Sequence, residues 1–421
     1  MTQYDAEDRV TPMREAERIG KRARGKRGLV LVAIIGSIVL QFIPTWQLQS
    51  RNSRIMRDFA DLYAGGVIVR EGNGSRLYDP ALQLQVERER TMRPDQIGFL
   101  PYVHAPYEAL LFAALSLFSY ATANWIWWVC NVVLFFSTML LLRPFLPRLE
   151  VHFELVLLAL GAFVPLQMAE AQGQDSVLSQ FLCTAAFVCL VRGREFFAGA
   201  VLGLALYKPH LALPAILILV LASKERVRVF AGFSVACLSL VLLSIAVVGW
   251  KTALAYPRVL ANVKAVDPTA MASVYGLLHA VSGALLSDGS VVLVVGALTA
   301  GVAASTAWIL YRSQPITKLT YALLMTAVLL IAYHTHLHDL ILLVLPLLVA
   351  VNWLIEVGLH NRTQRLIAAC VAVLYALPMI YWYPPLYTCA ILVFFAAFLW
   401  EACDGRNLLR PLQPQRKQAR V

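Results

Sequence analysis

The sequence predicts an all-α polytopic membrane protein with about twelve transmembrane helices. Of its 421 residues, 59% are hydrophobic and only 14% are charged. A soluble protein has roughly 45–50% apolar and about 25% charged residues. The chain also contains repeated apolar runs of about 18 residues or more, the length that crosses a bilayer as a helix.

The basic residues that raise the net charge to +11 are concentrated at the two ends of the chain. Eight Arg or Lys residues precede the first apolar run, and five follow the last. Basic residues beside spans are typical of the cytoplasmic side. We therefore expect a cytoplasmic basic N-terminal tail (1–28), a transmembrane domain (29–403) and a cytoplasmic basic C-terminal tail (404–421). This pattern favours contact with anionic lipid over binding of nucleic acid.

Short basic loops between apolar runs set the order of the spans. We expect outward spans to begin near 29, 151, 196, 229, 317 and 365, and inward spans near 123, 176, 209, 290, 338 and 386. Outer loops then cover about 50–122 and 249–289. Two segments are shorter than the roughly 20 residues of a spanning helix. These are 196–207 and 105–119, and the latter is expected to be interfacial or re-entrant in the first outer loop.

Four polar segments fall on the outer side in this topology: 57–80, 170–176, 207–210 and 333–340. Ionisable groups near lipid are costly and usually face a cavity. We therefore expect the four segments to share one outward-facing site.

Each polar segment has a functional and a structural interpretation. Asp58 and Asp61 are three residues apart and would share a helix face. The functional interpretation is a general base, and the structural one is a helix cap or a solvated loop charge. The sequence "EAQGQDS" carries Gln172, Gln174 and Asp175, which suit sugar hydroxyls. Alternatively, it forms a tight turn at Gly173 with Asp175 or Ser176 capping the next helix.

The sequence "YKPH" places Lys208 before Pro209, a residue favoured at the start of a helix. A lysine on the outer side is expected to hold a phosphate, with His210 as a second donor. The sequence "YHTHLHDL" contains His334, His336, His338 and Asp339. His334 and His338 have the spacing of a zinc pair on a helix but no clear third ligand. The alternative is a neutral histidine acting as acid, base or sugar ligand.

Three quoted stretches together resemble glycosyltransferase family 87. They are "DFADLYAGG…LYDP", "PYVHAPYEALLFAALSLFSYATANWIWW" and "GQDSVLSQFL…AGAVLGLALYKPHLALP", in that order within about 56–350. The family belongs to the GT-C class of polyprenyl-phosphate-sugar-dependent membrane enzymes and includes mycobacterial mannosyltransferases. It implies a bacterial inner membrane, with the active site on the outer, periplasmic side.

The resemblance also implies roles for individual residues. Asp58 occupies the aspartate of the family's D-F-x-x-x-Y pattern, which Tyr63 completes, and becomes the catalytic carboxylate. Lys208 and Pro209 match the family's Lys-Pro motif. The chain departs from the family at Ala332-Tyr333. At this position the family often has Ser-Pro, which precedes its late outer histidine. This leaves open which of the three clustered histidines is functional.

The resulting hypothesis is an inverting transfer of a hexosyl residue, with mannose as the family-level expectation. Asp58, helped by His336 or His338, would deprotonate an acceptor hydroxyl while Lys208 and His210 bind the donor phosphate. The residues expected to bind sugar or acceptor are Asp61, Tyr63, Gln172, Gln174, Asp175, His334 and Asp339.

We expect a polyprenyl-phosphate sugar donor, a lipid or glycan acceptor and membrane lipid as partners. No cofactor, metal or nucleic acid is expected. A transporter or flippase of a lipid-linked sugar is the alternative from another class, and a lipid-linked glycan ligase is a third. The lack of repeat symmetry between the halves of the sequence disfavours a transporter.

Overall fold

The computed structural model describes residues 28–47, 58–91, 99–262, 267–282, 288–380 and 383–403. In these ranges the chain forms helices and turns, with no strand. The predicted all-α membrane class is therefore confirmed. Apart from Gly28, the two predicted basic tails lie outside the described residues.

The helices follow one another closely along the chain. The first nine are α1 (Gly28–Gln47), α2 (Asp58–Arg70), α3 (Pro80–Arg90), α4 (Pro106–Leu115), α5 (Tyr120–Leu142), α6 (Pro147–Glu150), α7 (Phe153–Gly161), α8 (Val164–Gln172) and α9 (Ser176–Val191). The next ten are α10 (Glu195–Leu204), α11 (Pro209–Ala222), α12 (Arg226–Val248), α13 (Trp250–Asn262), α14 (Val274–Ser282), α15 (Asp288–Arg312), α16 (Lys318–Ile331), α17 (Val344–Val357), α18 (Arg362–Ile380) and α19 (Pro384–Cys403). A 3₁₀ turn, His338–Leu343, leads directly into α17.

Seven helices in the described ranges are long and apolar enough to cross a membrane. They are α1, α5, α12, α15, His338–Val357, α18 and α19, and each begins near a predicted span start. The predicted span near 151 is the pair α7 and α8, which bends by 53°. The spans predicted near 176, 196, 209 and 317 correspond to helices of 10–17 residues. At the twelve predicted span positions, the described part of the chain therefore has seven or eight helices that are long enough to span, and four shorter apolar helices.

The short helix α16 is stabilised by burial among its neighbours. Its residues from Leu319 to Leu330 are buried, and a helix that is apolar on all sides belongs in a core. The Tyr321 hydroxyl donates a hydrogen bond to the Cys183 carbonyl oxygen at 2.7 Å and ties α16 to α9. Helices inside the protein do not need the length of a spanning helix.

The bend between α7 and α8 coincides with Pro165 in the first turn of α8. A proline cannot donate a backbone hydrogen bond and interrupts a continuous helix. The Gln167 side-chain amide donates to the Gly161 carbonyl at 3.0 Å and to the Leu40 carbonyl of α1 at 3.1 Å. The amide thus satisfies a carbonyl at the break and fixes the bend against α1.

Helix α2 is buried because it fits closely against α4. Phe59 and Leu62 join Phe112 of α4 in one hydrophobic cluster. A β-carbon added at Gly66 would collide with the backbone carbonyl group of Phe112. This close approach fixes α2, and with it the acidic residues Asp58 and Asp61 in its first turn.

We expect Gly66→Ala to destabilise the protein by about 1–3 kcal/mol, the usual range for overpacking. The matched control is Gly301→Ala on α15, where an added β-carbon meets nothing within 4 Å. Because alanine has the higher helix propensity, the control is expected to be neutral or stabilising. Thermal unfolding in detergent measures both variants, and equal midpoints for them would contradict the described contact between α2 and α4.

Candidate active site

Six charged side chains from separate segments form one ionic network. Its members are Asp61, His104, Glu108, Asp175, Lys208 and Asp339. They come from α2, the segment 99–105, α4, the α8–α9 turn, the α10–α11 turn and the turn before α17. The network therefore joins the polar segments that the sequence predicts to share a site, and it adds His104 and Glu108.

Lys208 lies at the centre of one half of the network. Its Nζ is 2.8 Å from Asp175 Oδ1 and 2.7 Å from Asp339 Oδ1. The same ammonium donates to Ser176 Oγ at 2.6 Å and to Gln174 Oε1 at 3.4 Å. Burial alone lowers the pKa of Lys208, but the two carboxylates outweigh it and raise the pKa above its usual range. The lysine is therefore charged and is surrounded by protein acceptors.

The turn that carries Lys208 is built from its neighbours in sequence. α10 ends in a short 3₁₀ turn, and α11 begins at Pro209, as predicted. The Tyr207 hydroxyl lies 2.9 Å from Ser179 Oγ and donates to the Asp175 carbonyl at 3.3 Å. Tyr207 thus fixes the α10–α11 turn against the α8–α9 turn.

His104 lies at the centre of the other half of the network. Its Nε2 is 3.4 Å from Asp61 Oδ2, and its Nδ1 is 3.2 Å from Glu108 Oε2. Burial alone lowers the pKa of His104, but the adjacent Glu108 and Asp61 raise it well above the usual value. The Tyr78 hydroxyl donates to the His104 carbonyl at 2.7 Å and fixes this segment.

Asp58 lies at the start of α2 and is only partly buried. Burial raises its pKa to about 6, while a hydrogen bond with Gln174 and the charge of Lys208 act in the opposite direction. This carboxylate therefore accepts a proton more readily than an exposed aspartate does, and it is ionised at neutral pH.

Gly173 makes the tight turn that presents Gln174 and Asp175. Its φ of +70° is in the left-handed region, and an added β-carbon would lie 2.6 Å from Phe59 Cβ. Trp127 Nε1 donates to the Gly173 carbonyl at 2.9 Å. Asp175 is at the N-cap position of α9, but its side chain caps no helix N–H and instead contacts Lys208.

Four of the eight histidines lie together beside the network. The ring centroids of His334 and His336 are 4.6 Å apart, those of His336 and His338 are 5.4 Å apart, and those of His210 and His334 are 5.6 Å apart. Burial lowers the pKa of His334 to about 4 and also lowers the pKa of His336. These two imidazoles are neutral at pH 7. Residues 332–337 form no helix, so His334 and His338 do not form the helical zinc pair considered from their spacing.

The remaining predicted site residues differ in their positions. His338 Nδ1 is 2.9 Å from Gln172 Oε1, and its Nε2 is 3.5 Å from Asp339 Oδ2. His338 therefore contacts the network directly, and Gln172 contacts it through His338. Tyr63 instead lies in the hydrophobic cluster of α2, where its hydroxyl donates to the Phe118 carbonyl at 2.8 Å.

His104 and Glu108 were absent from the site predicted from the sequence. They stand four residues apart in "HAPYE", the spacing that brings a histidine and a glutamate together at a helix start. This spacing was a signal of their contact, but nothing in the sequence connects that pair to Asp61 or Asp175.

Comparison with known families matches this chain over residues 102–333, more than half of its length, to a family described as glycosyltransferase family 87. The match covers His104, Glu108, Asp175 and Lys208. It begins after α2 and ends before His334, so it is narrower than the resemblance seen in the sequence. No curated protein sequence matches the chain.

We expect Lys208→Met to destabilise the protein by about 3–5 kcal/mol, because it leaves two buried carboxylates without their counter-charge. Replacing Asp175 and Asp339 by asparagine in the same chain should recover much of this loss. Thermal unfolding in detergent gives the measurement, with the exposed Lys224→Met as control. A Lys208→Met variant as stable as Lys224→Met would contradict the described ion pairs.

Proposed function

This chain belongs to glycosyltransferase family 87 and is a glycosyltransferase, and on that premise we propose an inverting transfer of one hexosyl residue. The proposed donor is a polyprenyl-phosphate sugar, with mannose as the first sugar to test, and the acceptor is a hydroxyl of a lipid or glycan. The observation that carries the proposal is the partly buried Asp58 carboxylate beside the ionic network and the neutral histidines. We further propose a bacterial inner membrane, with this site on the outer side and both termini cytoplasmic.

Asp58 is the proposed general base. A base is most effective when its pKa lies near the working pH, and burial raises the pKa of Asp58 to about 6. Asp61 is less suited to this role because its two oxygens already face the Leu62 N–H at 2.7 Å and His104 Nε2 at 3.4 Å. We therefore assign proton removal to Asp58 and the positioning of His104 to Asp61.

The histidines are proposed to contact the sugar or the acceptor. His338 has both ring nitrogens near protein oxygens, those of Gln172 and Asp339. Among the described residues, His210 Nε2 has no hydrogen-bond partner, which leaves it available to a ligand. We propose that His336 assists Asp58, that His338 positions Gln172 and that His210 and His334 contact the donor.

The donor phosphate needs more positive charge than Lys208 supplies. The ammonium is shared by Asp175 and Asp339, so the three groups together carry a net negative charge. A phosphate beside them would be repelled unless another cation were present. Lys208 is therefore proposed to hold the two carboxylates in position, and its direct contact with phosphate remains a prediction from the sequence.

A lipid-linked glycan ligase is the alternative within the same reaction class. It would transfer a preassembled glycan, whereas the proposed enzyme transfers one sugar. Mass spectrometry of the product formed by purified protein separates the two, because a mass gain of a single hexose supports the proposal and a larger gain supports the ligase. A transporter would give no covalent product.

We expect Asp58→Asn to reduce the transfer rate by about 10²–10⁴-fold, the usual contribution of a general base. The assay follows label moving from polyprenyl-phosphate hexose to the acceptor lipid in proteoliposomes. The control is Asp79→Asn, which removes a carboxylate that pairs with Arg76 at 2.6 Å outside the site. Transfer by Asp58→Asn at the control's rate would reject Asp58 as the base.

The pH profile gives a second test of Asp58. Its charged form is the base, so kcat/KM is expected to be constant above about pH 6 and to fall tenfold per pH unit below it. Removing the Gln174 hydrogen bond stabilises the neutral carboxyl relative to the carboxylate. Gln174→Met is therefore expected to move the acidic limb to higher pH. An unchanged limb in Gln174→Met would show that another group controls it.

A further inference from the structure

We propose that His104, Glu108 and Asp175 form a binding site for one divalent cation. One potential ligand atom from each residue can be chosen so that all three atoms lie within 4.8 Å of one another. A nitrogen and two carboxylate oxygens at such separations surround a space in which one ion can contact all three. His104 and Glu108 are four residues apart, whereas Asp175 is far from them in sequence, so the fold brings Asp175 to this pair.

The carboxylates of this group are buried and short of hydrogen-bond donors. Glu108 is 5% exposed and Asp175 is 1% exposed. Among the described residues, Glu108 Oε1 and Asp175 Oδ2 have no hydrogen-bond partner, whereas the second oxygen of each carboxylate faces a charged side chain. The cations close to them in the described part of the chain are His104, beside Glu108 Oε2, and Lys208, beside Asp175 Oδ1. Buried carboxylates in this state favour a bound positive ion, since unpaired buried charge is costly.

The charge balance around the group supports the same conclusion. The ionic network contains four carboxylates, those of Asp61, Glu108, Asp175 and Asp339, and Asp58 lies beside it. Lys208 and His104 are the positively charged side chains within the network. A divalent cation that displaces the Nδ1 proton of His104 would lower this negative charge by one unit.

His104 has the arrangement expected of a metal ligand. Its Nδ1 faces Glu108 while its Nε2 faces Asp61 Oδ2. Metal-binding histidines commonly donate their second ring N–H to a carboxylate, which orients the ring. On binding, the cation would replace the Nδ1 proton, which would leave for solvent. Asp61 is then the positioning residue for this ligand.

The ligand types indicate a first-row ion. Imidazole suits transition metals and carboxylate suits Mn²⁺ as well as Mg²⁺, so Mn²⁺ is the appropriate probe. If the proposed function is correct, the ion also supplies the positive charge that the donor phosphate lacks beside Lys208. Metal ions stabilise the charge that develops on leaving phosphate oxygens. This last step rests on the proposed function, whereas binding of the ion does not.

The test measures metal binding directly. Full-length protein in detergent is treated with a chelator, dialysed and titrated with Mn²⁺ while the electron paramagnetic resonance signal of free Mn²⁺ is recorded. We expect one Mn²⁺ per chain. Glu108→Gln should weaken binding by at least about tenfold, and Asp61→Asn by about 10–100-fold.

The matched control is Glu170→Gln. Glu170 is also a buried carboxyl, 1% exposed, but it is outside the three-residue group. Its variant should bind Mn²⁺ as the wild type does. Thermal unfolding of each variant shows whether it is folded, and Asp175→Asn replaces Glu108→Gln if that variant is unfolded.

The outcomes separate the two proposals. No Mn²⁺ binding at millimolar concentration, or equal binding by wild type and Glu108→Gln, would overturn the cation site. In that event, sugar transfer at the full rate by protein treated with a chelator would leave the proposed function intact. Mn²⁺ bound through Glu108 in a protein that transfers no sugar from any polyprenyl-phosphate donor would support the site and reject the function.

Discussion

The contact on which the site depends is the buried ammonium of Lys208 between Asp175 and Asp339. Three segments far apart in sequence meet at this point: the α8–α9 turn, the α10–α11 turn and the turn before α17. Removing one partner of such a buried arrangement is strongly unfavourable, so each charge holds the other two turns in place. Gln174 and Ser176, which also contact Lys208, thereby acquire fixed positions.

This arrangement makes the site negatively charged. Lys208 is fully engaged with protein acceptors, and His104 lies between Asp61 and Glu108. Such surroundings favour proton acceptance by Asp58, because burial and the neighbouring Asp61 both raise its pKa. They do not favour a phosphate leaving group. The proposed divalent cation at His104, Glu108 and Asp175 would resolve this conflict, since it would add positive charge among these carboxylates.

Much of the fold was predictable because hydrophobicity and basic loops determine membrane topology. The all-α class and the positions of seven spans follow from apolar runs alone. The short helices α9, α10, α11 and α16 were counted as spans because their sequences are as apolar as those of lipid-facing helices. Tertiary contacts, such as that of Tyr321 with the Cys183 carbonyl, show that α9 and α16 lie among other helices, whereas α10 and α11 keep exposed apolar side chains. Within the site, topology correctly indicated that Gln174, Lys208 and Asp339 would meet. It did not indicate that Lys208 would pair with two carboxylates or that His104 would join Asp61, because those contacts depend on side-chain geometry across separate helices.

The central claim is that Asp58 removes the proton from an acceptor hydroxyl in this site. The most direct measurement is an experimental structure of the protein with an acceptor lipid and an unreactive analogue of a polyprenyl-phosphate hexose. We expect the acceptor oxygen within about 2.6–3.2 Å of an Asp58 carboxylate oxygen, with the anomeric carbon on the opposite side of the acceptor oxygen. An acceptor hydroxyl bound next to a different base, with Asp58 contacting neither substrate, would contradict it.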